Sequence, residues 1–193
     1  MFIILASTSK YRKQLLEAAG IHAECVAPEY DEKPIDGMHP LEQIAEFARG
    51  KASSVAAKYP NSIIIASDQG LFNGSQLVGK PGTFENACKQ LQNLRGKSPI
   101  LATSVVVLYR GILLEEQNRA VLHFRNDMSD EMIVRYVQAD NPLDCAGSFK
   151  IESRGSRLFS SIECDDPTAI QGLPIMTLNR MLIEIEPHLD LVF

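Results

Sequence analysis

The chain has 193 residues, 45% hydrophobic and 22% charged, which excludes a disordered polymer and suits one large domain or two closely joined lobes. Its formal net charge of −5 disfavours non-specific binding to nucleic acid or to an anionic membrane. The apolar runs are too short to span a bilayer, and no basic leader precedes the first of them. The four cysteines form no C-x-x-C pair, so we expect reduced thiols and a cytoplasmic location.

The first half of the chain alternates short apolar runs with amphipathic segments. We predict strands at 2–6, 22–28 and 62–70, the first and third of them buried, and helices over 9–19 and 41–59. Gly20 stands where a helix C-terminal cap belongs, and Asn73-Gly74 is a strong hairpin signal. Asp68 comes at the carboxyl end of the third apolar run, which is a common position for an active-site carboxylate in α/β proteins.

The second half of the chain mixes the two kinds of element again. We predict helices over 83–96, 129–140 and 175–185, and β structure over 99–125 with a turn near Arg110-Gly111. Strands and helices do not alternate as strict βαβ units. The order therefore predicts an α/β (mixed α+β) fold with a mixed central sheet, and two lobes around a cleft would also fit.

The stretch LASTSKYRKQLL, residues 5–16, carries small hydroxyl residues from a strand into a helix. Backbone N–H groups and the helix dipole can bind an anion at such a turn. Ser7 and Ser9 can add hydroxyl donors, and Arg12 can reach the same anion with its guanidinium fork. Equally, Ser9 could simply cap the helix while Arg12 is solvated. The local sequence leaves both interpretations open.

Acidic and basic residues elsewhere supply further candidates. A charge that closes an apolar strand is costly without a partner, so Asp68 is the strongest candidate for a base or a ligand of a hard cation. Glu32, in a polar loop, is a weaker one. Lys51 lies in a helix and Lys80 in the rigid GKPG turn, where each could contact a phosphate. Turn capping by Asp68 and solvated surface lysines are the alternatives.

Taken together, these segments resemble a known family. LASTSKYRKQLL resembles the S-x-S-x-R-x-x-L-L signature of the Maf nucleoside triphosphate pyrophosphatases, and the following segments match that family in order: DEKP, ARGKA, ASDQ, LVGKPG, AGSFKIE and DDPTAIQGLP. The resemblance implies a single Maf-like domain over residues 1–193. It also implies the inosine triphosphate pyrophosphatase-like fold, with two lobes around a central mixed sheet and a deep cleft.

The resemblance further implies hydrolysis between the α- and β-phosphates of a nucleoside triphosphate. Asp68 would be the proton acceptor and would hold a divalent cation (Mg²⁺, Mn²⁺ or Co²⁺) together with Glu32. The residues that would bind the substrate phosphates are Ser7, Ser9, Arg12, Lys51 and Lys80.

Three positions indicate which nucleobase the substrate carries. Maf enzymes acting on dTTP and UTP tend to show D-T after the catalytic acid and G-x-Y-x-I-Q later, whereas this chain has Gln69 after Asp68 and ends its later motif in Glu152. Tyr11 precedes Arg12. That set resembles the branch that hydrolyses 7-methyl-GTP to 7-methyl-GMP and pyrophosphate. N7-methylated guanine is positively charged, so an aromatic face and a carboxylate suit it.

Two alternatives stay open: a dTTP/UTP pyrophosphatase of the same family, and a nucleotide-binding regulator of cell division without significant turnover. Lys10 and Ser104 depart from the family pattern, in place of a proline and a glycine. We expect a small-molecule nucleoside triphosphate as partner, and neither a nucleic acid polymer nor a membrane. A homodimer is a further expectation, with VVVLYRGILL (105–114) at or near its interface, although an internal strand gives the same pattern.

Overall fold

The computed structural model describes residues 2–33 and 35–189. The strands in these ranges are β1 Ile3–Ala6, β2 Glu24–Val26, β3 Ile63–Asn73, β4 Gln76–Val78, β5 Ile100–Tyr109, β6 Ile112–Phe124 and β7 Phe159–Cys164. The helices are α1 Lys10–Ala18, α2 Pro40–Ala56, α3 Phe84–Leu94, α4 Asp130–Asp140 and α5 Ile175–Ile185. Short 3-10 segments cover Ala146–Ser148, Arg154–Leu158 and Pro167–Gln171. None of the helices described is both long and apolar enough to cross a membrane.

The strands form one mixed sheet in the order β2-β1-β3-β5-β6-β7, with β4 paired to β3. β1 runs parallel to β2 and to β3, with Leu5 opposite Ile65. β3 and β4 are antiparallel and close the hairpin predicted at Asn73-Gly74, and β6 and β7 are antiparallel as well. The predicted mixed α/β fold is therefore confirmed.

Hydroxyl side chains begin three of the helices. Ser9, Thr83 and Ser129 each accept a hydrogen bond from the backbone N–H three residues later, at the starts of α1, α3 and α4. Such caps satisfy donors that have no partner inside the helix. Gly20 follows α1 with φ of +72°, as expected for the residue after a helix end.

Two details of the predicted strands are wrong. β3 does not end near Asp68 but continues to Asn73, because its second half pairs with β4 after the parallel pairing with β1 has ended. β7 was not expected at all. Its alternation is weak, since only Phe159 of its six residues is buried, and its position depends on pairing with β6.

The chain forms two compact units. The first comprises the chain up to Gln69, Thr103–Asn118 and the chain from Asp166 onward, and the second comprises Gly70–Ala102 and Arg119–Asp165. In the second unit α3 packs on α4, and the rings of Phe124, Phe149 and Phe159 meet edge to face.

Alternation along β3 decides what lies on each face of the first unit. Ile63 and Ile65 join an apolar core with Leu178 and Leu182 of α5. The intervening Ile64 and Ala66 join a second core against α2. Because side chains alternate along the strand, Ser67 and Gln69 lie on the α5 face of the sheet and Asp68 lies on the α2 face.

Candidate active site

The turn between β1 and α1 is held by its own side chains. Ser7 is buried, and its Oγ accepts from the backbone N–H of Ser9 at 3.1 Å and from Arg12 Nη1 at 3.4 Å. Ser9 Oγ accepts from the backbone N–H of Arg12 at 3.5 Å and so caps α1. Each hydroxyl therefore accepts locally and keeps its O–H to donate to an anion.

The Arg12 side chain is fixed by a residue far along the chain. Its Nε donates to the carbonyl of Gly172 at 2.9 Å, and Ser67 Oγ donates to the same carbonyl at 2.8 Å. A guanidinium has five N–H donors, and the contacts of Arg12 with Gly172 and Ser7 use two of them, which leaves three for a ligand. Burial lowers the pKa of Arg12, and the charges of Asp68 and Glu32 oppose that shift.

Three charged side chains meet on the α2 face of the sheet. Lys51 Nζ donates to Asp68 Oδ1 at 2.5 Å and lies 2.7 Å from Glu32 Oε1. The Lys51 side chain is only 6% exposed and that of Asp68 13%, whereas that of Glu32 is 49% exposed. We call this set the Lys51 cluster. The ion pair satisfies an ammonium that would otherwise be too costly to bury.

The carboxyl of Asp68 is subject to opposing influences. Burial raises its pKa, whereas Lys51 and Arg12 lower it, and Glu32 raises it slightly again. The net direction is upward. A carboxylate with an upward-shifted pKa is a better proton acceptor than a solvated one, as a general base requires.

The same two acids are suited to a divalent cation. Within residues 2–33 and 35–189, no three His, Cys, Asp or Glu side chains form a group that could hold a metal by themselves. Glu32 and Asp68 nevertheless direct one oxygen each toward a single cationic atom, Lys51 Nζ. Mg²⁺ commonly uses one or two carboxylates and completes its shell with water and substrate phosphates. The donor set thus fits a cation of that kind.

The residue after Asp68 has a structural role that the sequence did not indicate. Gln69 Nε2 donates to Thr103 Oγ1 at 2.9 Å and to the carbonyls of Ala169 and Ile170 at 2.8 and 3.3 Å. Gln69 therefore ties β3 to the 3-10 segment that precedes Gly172. Its amide nitrogen is saturated, and only its carbonyl oxygen is left for a ligand.

Asp166 caps the N-terminal end of the 3-10 segment Pro167–Gln171. Its carboxylate is buried and accepts from the backbone N–H groups of Thr168, Met176 and Thr177 and from the Thr168 hydroxyl. The structure makes Asp166 the cap that joins the segment to α5, while Asp165 is exposed.

Glycine 50 allows the loop that carries Glu32 to dock on α2. The ring of Tyr30, two residues before Glu32, lies so close to Gly50 that a Cβ there would come within 2.1 Å of the ring. The same ring meets Phe47 edge to face, with centroids 6.2 Å apart. A side chain at position 50 would displace Tyr30 and, with it, the loop.

Gly50→Ala is therefore expected to destabilise the protein, although alanine is normally better than glycine inside a helix. Helix propensity alone would add about 1 kcal/mol to the free energy of unfolding, whereas overpacking against Tyr30 costs about 1–3 kcal/mol. In a Tyr30→Ala background the clash is gone, and the same change should stabilise. Urea denaturation of the four proteins measures this cycle. Gly79→Ala, where a Cβ meets nothing within 4 Å, is the matched control. Stabilisation by Gly50→Ala in both backgrounds would contradict the docking.

The remaining sequence candidates are placed as follows. Tyr11 is half-buried in α1, with the Lys10 ammonium 5.0 Å from its ring centroid. Lys80 and Glu152 belong to the second unit, and both are exposed. The structure thus brings together Ser7, Ser9 and Arg12 in one group and Glu32, Lys51 and Asp68 in another, and the charge of Arg12 interacts with Asp68 and Glu32.

Sequence comparison decides the family. A family model described as Maf-like protein matches residues 2–185. The chain belongs to the Maf family. This Maf protein is 42% identical over 182 residues to the 7-methyl-GTP pyrophosphatase of Aromatoleum aromaticum, with 93% of each chain covered. It is 41% identical to the protein of the same name from Albidiferax ferrireducens, covering 93% of this chain and 91% of the relative.

Among solved structures, the Ham1 protein of Staphylococcus aureus has a similar fold. The TM-score is 0.52 at 16% identity, and the match covers 96% of this Maf protein and 100% of Ham1. At that identity the likeness concerns the fold alone.

Proposed function

We propose that this protein is a nucleoside triphosphate pyrophosphatase that hydrolyses 7-methyl-GTP to 7-methyl-GMP and pyrophosphate, which removes a modified nucleotide from the pool. The observation that carries the proposal is the Lys51 cluster, in which Lys51 lies between Glu32 and Asp68. Its buried carboxylate is suited to accept a proton, and its pair of acids is suited to a divalent cation. Membership of the Maf family and the names of two relatives support the same conclusion.

The substrate phosphates bind at the basic and hydroxyl groups around this cluster. Arg12 offers three N–H donors, and Ser7 and Ser9 offer their O–H groups. Lys51 directs two of its three donors to carboxylates and keeps one for a phosphoryl oxygen. Lys80, exposed in the GKPG turn of the second unit, is the further phosphate-binding residue of the proposal. These cations stabilise the charge that develops as the bond between the α- and β-phosphates breaks.

Asp68 accepts the proton of the attacking water while the pyrophosphate leaves. Burial raises the pKa of Asp68, and Lys51 and Arg12 oppose that shift by favouring the ionised form, which is the form that accepts a proton. A divalent cation held by Glu32 and Asp68 would supply Lewis-acid stabilisation of the phosphates. Gly172 contributes by fixing Arg12 through its carbonyl.

Tyr11, Gln69 and Glu152 select the nucleobase of the substrate. The ring of Tyr11 offers a face to the cationic 7-methylguanine. The carboxylate of Glu152 accepts from guanine N1–H and the 2-amino group, a donor pair that thymine and uracil lack. Gln69 contributes its side-chain carbonyl oxygen, because its amide nitrogen is already used in hydrogen bonds within the protein.

Steady-state kinetics on 7-methyl-GTP, GTP, dTTP and UTP test the proposal. We expect kcat/KM to be highest for 7-methyl-GTP. If kcat/KM were highest for dTTP and UTP, the protein would instead be a dTTP/UTP pyrophosphatase of the Maf family. Binding of all four without pyrophosphate release would make it a nucleotide-binding regulator.

The same assay on Glu152→Gln tests the base contact. Losing a charged acceptor for two guanine donors costs about 1.5–3 kcal/mol, so kcat/KM for 7-methyl-GTP should fall roughly 10- to 100-fold, with little change for dTTP. Glu184→Gln, at an exposed position of α5, is the control. An equal loss on all four substrates would remove Glu152 from base recognition.

We place the reaction in the cytoplasm and propose that the protein works as a homodimer. Ile112 and Leu113, at the start of β6 and within 105–114, are 57% and 40% exposed, which suits a contact with a second copy. Light scattering of Leu113→Asp against the unaltered protein measures the assembly.

A further inference from the structure

The second unit contains a pocket that the pyrophosphatase chemistry does not use. It has a volume of about 510 Å³, within the range of small-molecule sites. Its apolar part is formed by Met128, Tyr136, Leu158 and Phe159, all of them buried. Phe159 of the aromatic cluster and residues of α4 therefore both contribute apolar surface to this pocket.

Four arginines line the same pocket: Arg125, Arg135, Arg154 and Arg157. Two of them are neutralised by neighbours, since Arg125 binds Asp127 with two hydrogen bonds and Arg154 Nη1 donates to Asp140 at 2.8 Å. Arg135 and Arg157 are exposed and form no ion pair within 4 Å in the part of the chain described. The lining thus carries an excess of about two positive charges in a protein whose net charge is −5.

We propose that this pocket binds a small organic phosphate monoester that carries an apolar or aromatic group. A monoester has a charge of about −1.5 to −2 at pH 7, which matches the excess of two guanidinium charges. A planar guanidinium group can donate two parallel hydrogen bonds to two oxygens of one phosphate. The buried methionine, leucine and ring surfaces suit the apolar part of the ligand, because a sulfur or aromatic surface adapts to flat groups.

Methionine methyl NMR tests the proposal without measuring turnover, so its failure would leave the pyrophosphatase proposal untouched. The protein is labelled with ¹³C at its methionine methyl groups and titrated with 1-naphthyl phosphate, inorganic phosphate and 1-naphthol. We expect the signals of Met128 and Met132, which both line the pocket, to shift with 1-naphthyl phosphate at concentrations at least tenfold lower than with the other two compounds.

The double variant Arg135→Gln/Arg157→Gln should raise the Kd for 1-naphthyl phosphate at least tenfold. Arg119→Gln, an exposed arginine of the same unit outside the pocket, is the matched control and should leave the Kd unchanged. Arg12→Gln should also leave it unchanged, which separates this pocket from the active site. The proposal is overturned if the Met128 and Met132 signals do not move, if 1-naphthol binds as tightly as its phosphate, or if the double variant binds like the unaltered protein.

Discussion

Asp68→Asn is expected to reduce kcat for 7-methyl-GTP by roughly 10²- to 10⁴-fold, which is the usual contribution of a general base. An amide cannot accept the proton of the attacking water, and it is a poorer ligand for a divalent cation. Lys51 keeps Glu32 as a partner, so the variant should still fold. Steady-state turnover at saturating Mg²⁺, with circular dichroism as the check on folding, measures the effect.

Two comparisons make this result specific. Asp165→Asn changes an exposed aspartate of the DDPTAIQGLP segment and should leave kcat within a factor of two. Binding of a non-hydrolysable triphosphate to Asp68→Asn should persist, since Arg12 and Ser7 are untouched. Near-wild-type turnover of Asp68→Asn in the presence of metal would exclude Asp68 as the proton acceptor.

Lys51→Met should lower the free energy of unfolding by about 3 kcal/mol in EDTA, the low end for breaking a buried ion pair. The change leaves the Glu32 and Asp68 carboxylates without the cation between them, and the half-exposed Glu32 can turn toward water. Adding Mn²⁺ should restore part of the loss, because a cation that binds only the folded protein stabilises it. Thermal and urea unfolding with and without Mn²⁺ measure both effects.

Lys58→Met is the matched control, since Lys58 forms one exposed ion pair with Glu29. Exposed pairs contribute less than about 1 kcal/mol, and Mn²⁺ should have no different effect on this variant than on the unaltered protein. A Lys51→Met protein that is as stable as the unaltered one and insensitive to Mn²⁺ would show that the two acids do not form a cation site.

Much of the fold could be predicted from local signals. Caps at Ser9, Thr83 and Ser129 and the hairpin at Asn73-Gly74 depend on residues only a few positions apart, and all four are present. Local motifs likewise predict the residues of the candidate site, and their roles stay predictions. In LASTSKYRKQLL the structure shows that Ser9 caps α1 and that Arg12 is bound to the Gly172 carbonyl with donors left free, and ligand binding there stays a prediction.

What could not be predicted depends on contacts between distant residues. The carbonyl that orients Arg12 comes from Gly172, 160 positions along the chain, and a backbone carbonyl has no sequence signature. The length of β3 beyond Asp68 depends on a partner strand, as does β7. The pairing of Lys51 with two acids likewise required α2, β3 and the loop before α2 to meet.

The three hydrogen bonds of the Gln69 amide have a consequence for how new substrate preferences can arise in this enzyme. A change to threonine at position 69 would remove the donor that Thr103 and the carbonyls of Ala169 and Ile170 share, although Thr103 would still donate to Ala169. A buried carbonyl left without a donor costs about 1–3 kcal/mol, so we expect such a variant to lose stability. We therefore expect an exchange at position 69 to be tolerated better together with changes at 103 and 169–170 than alone.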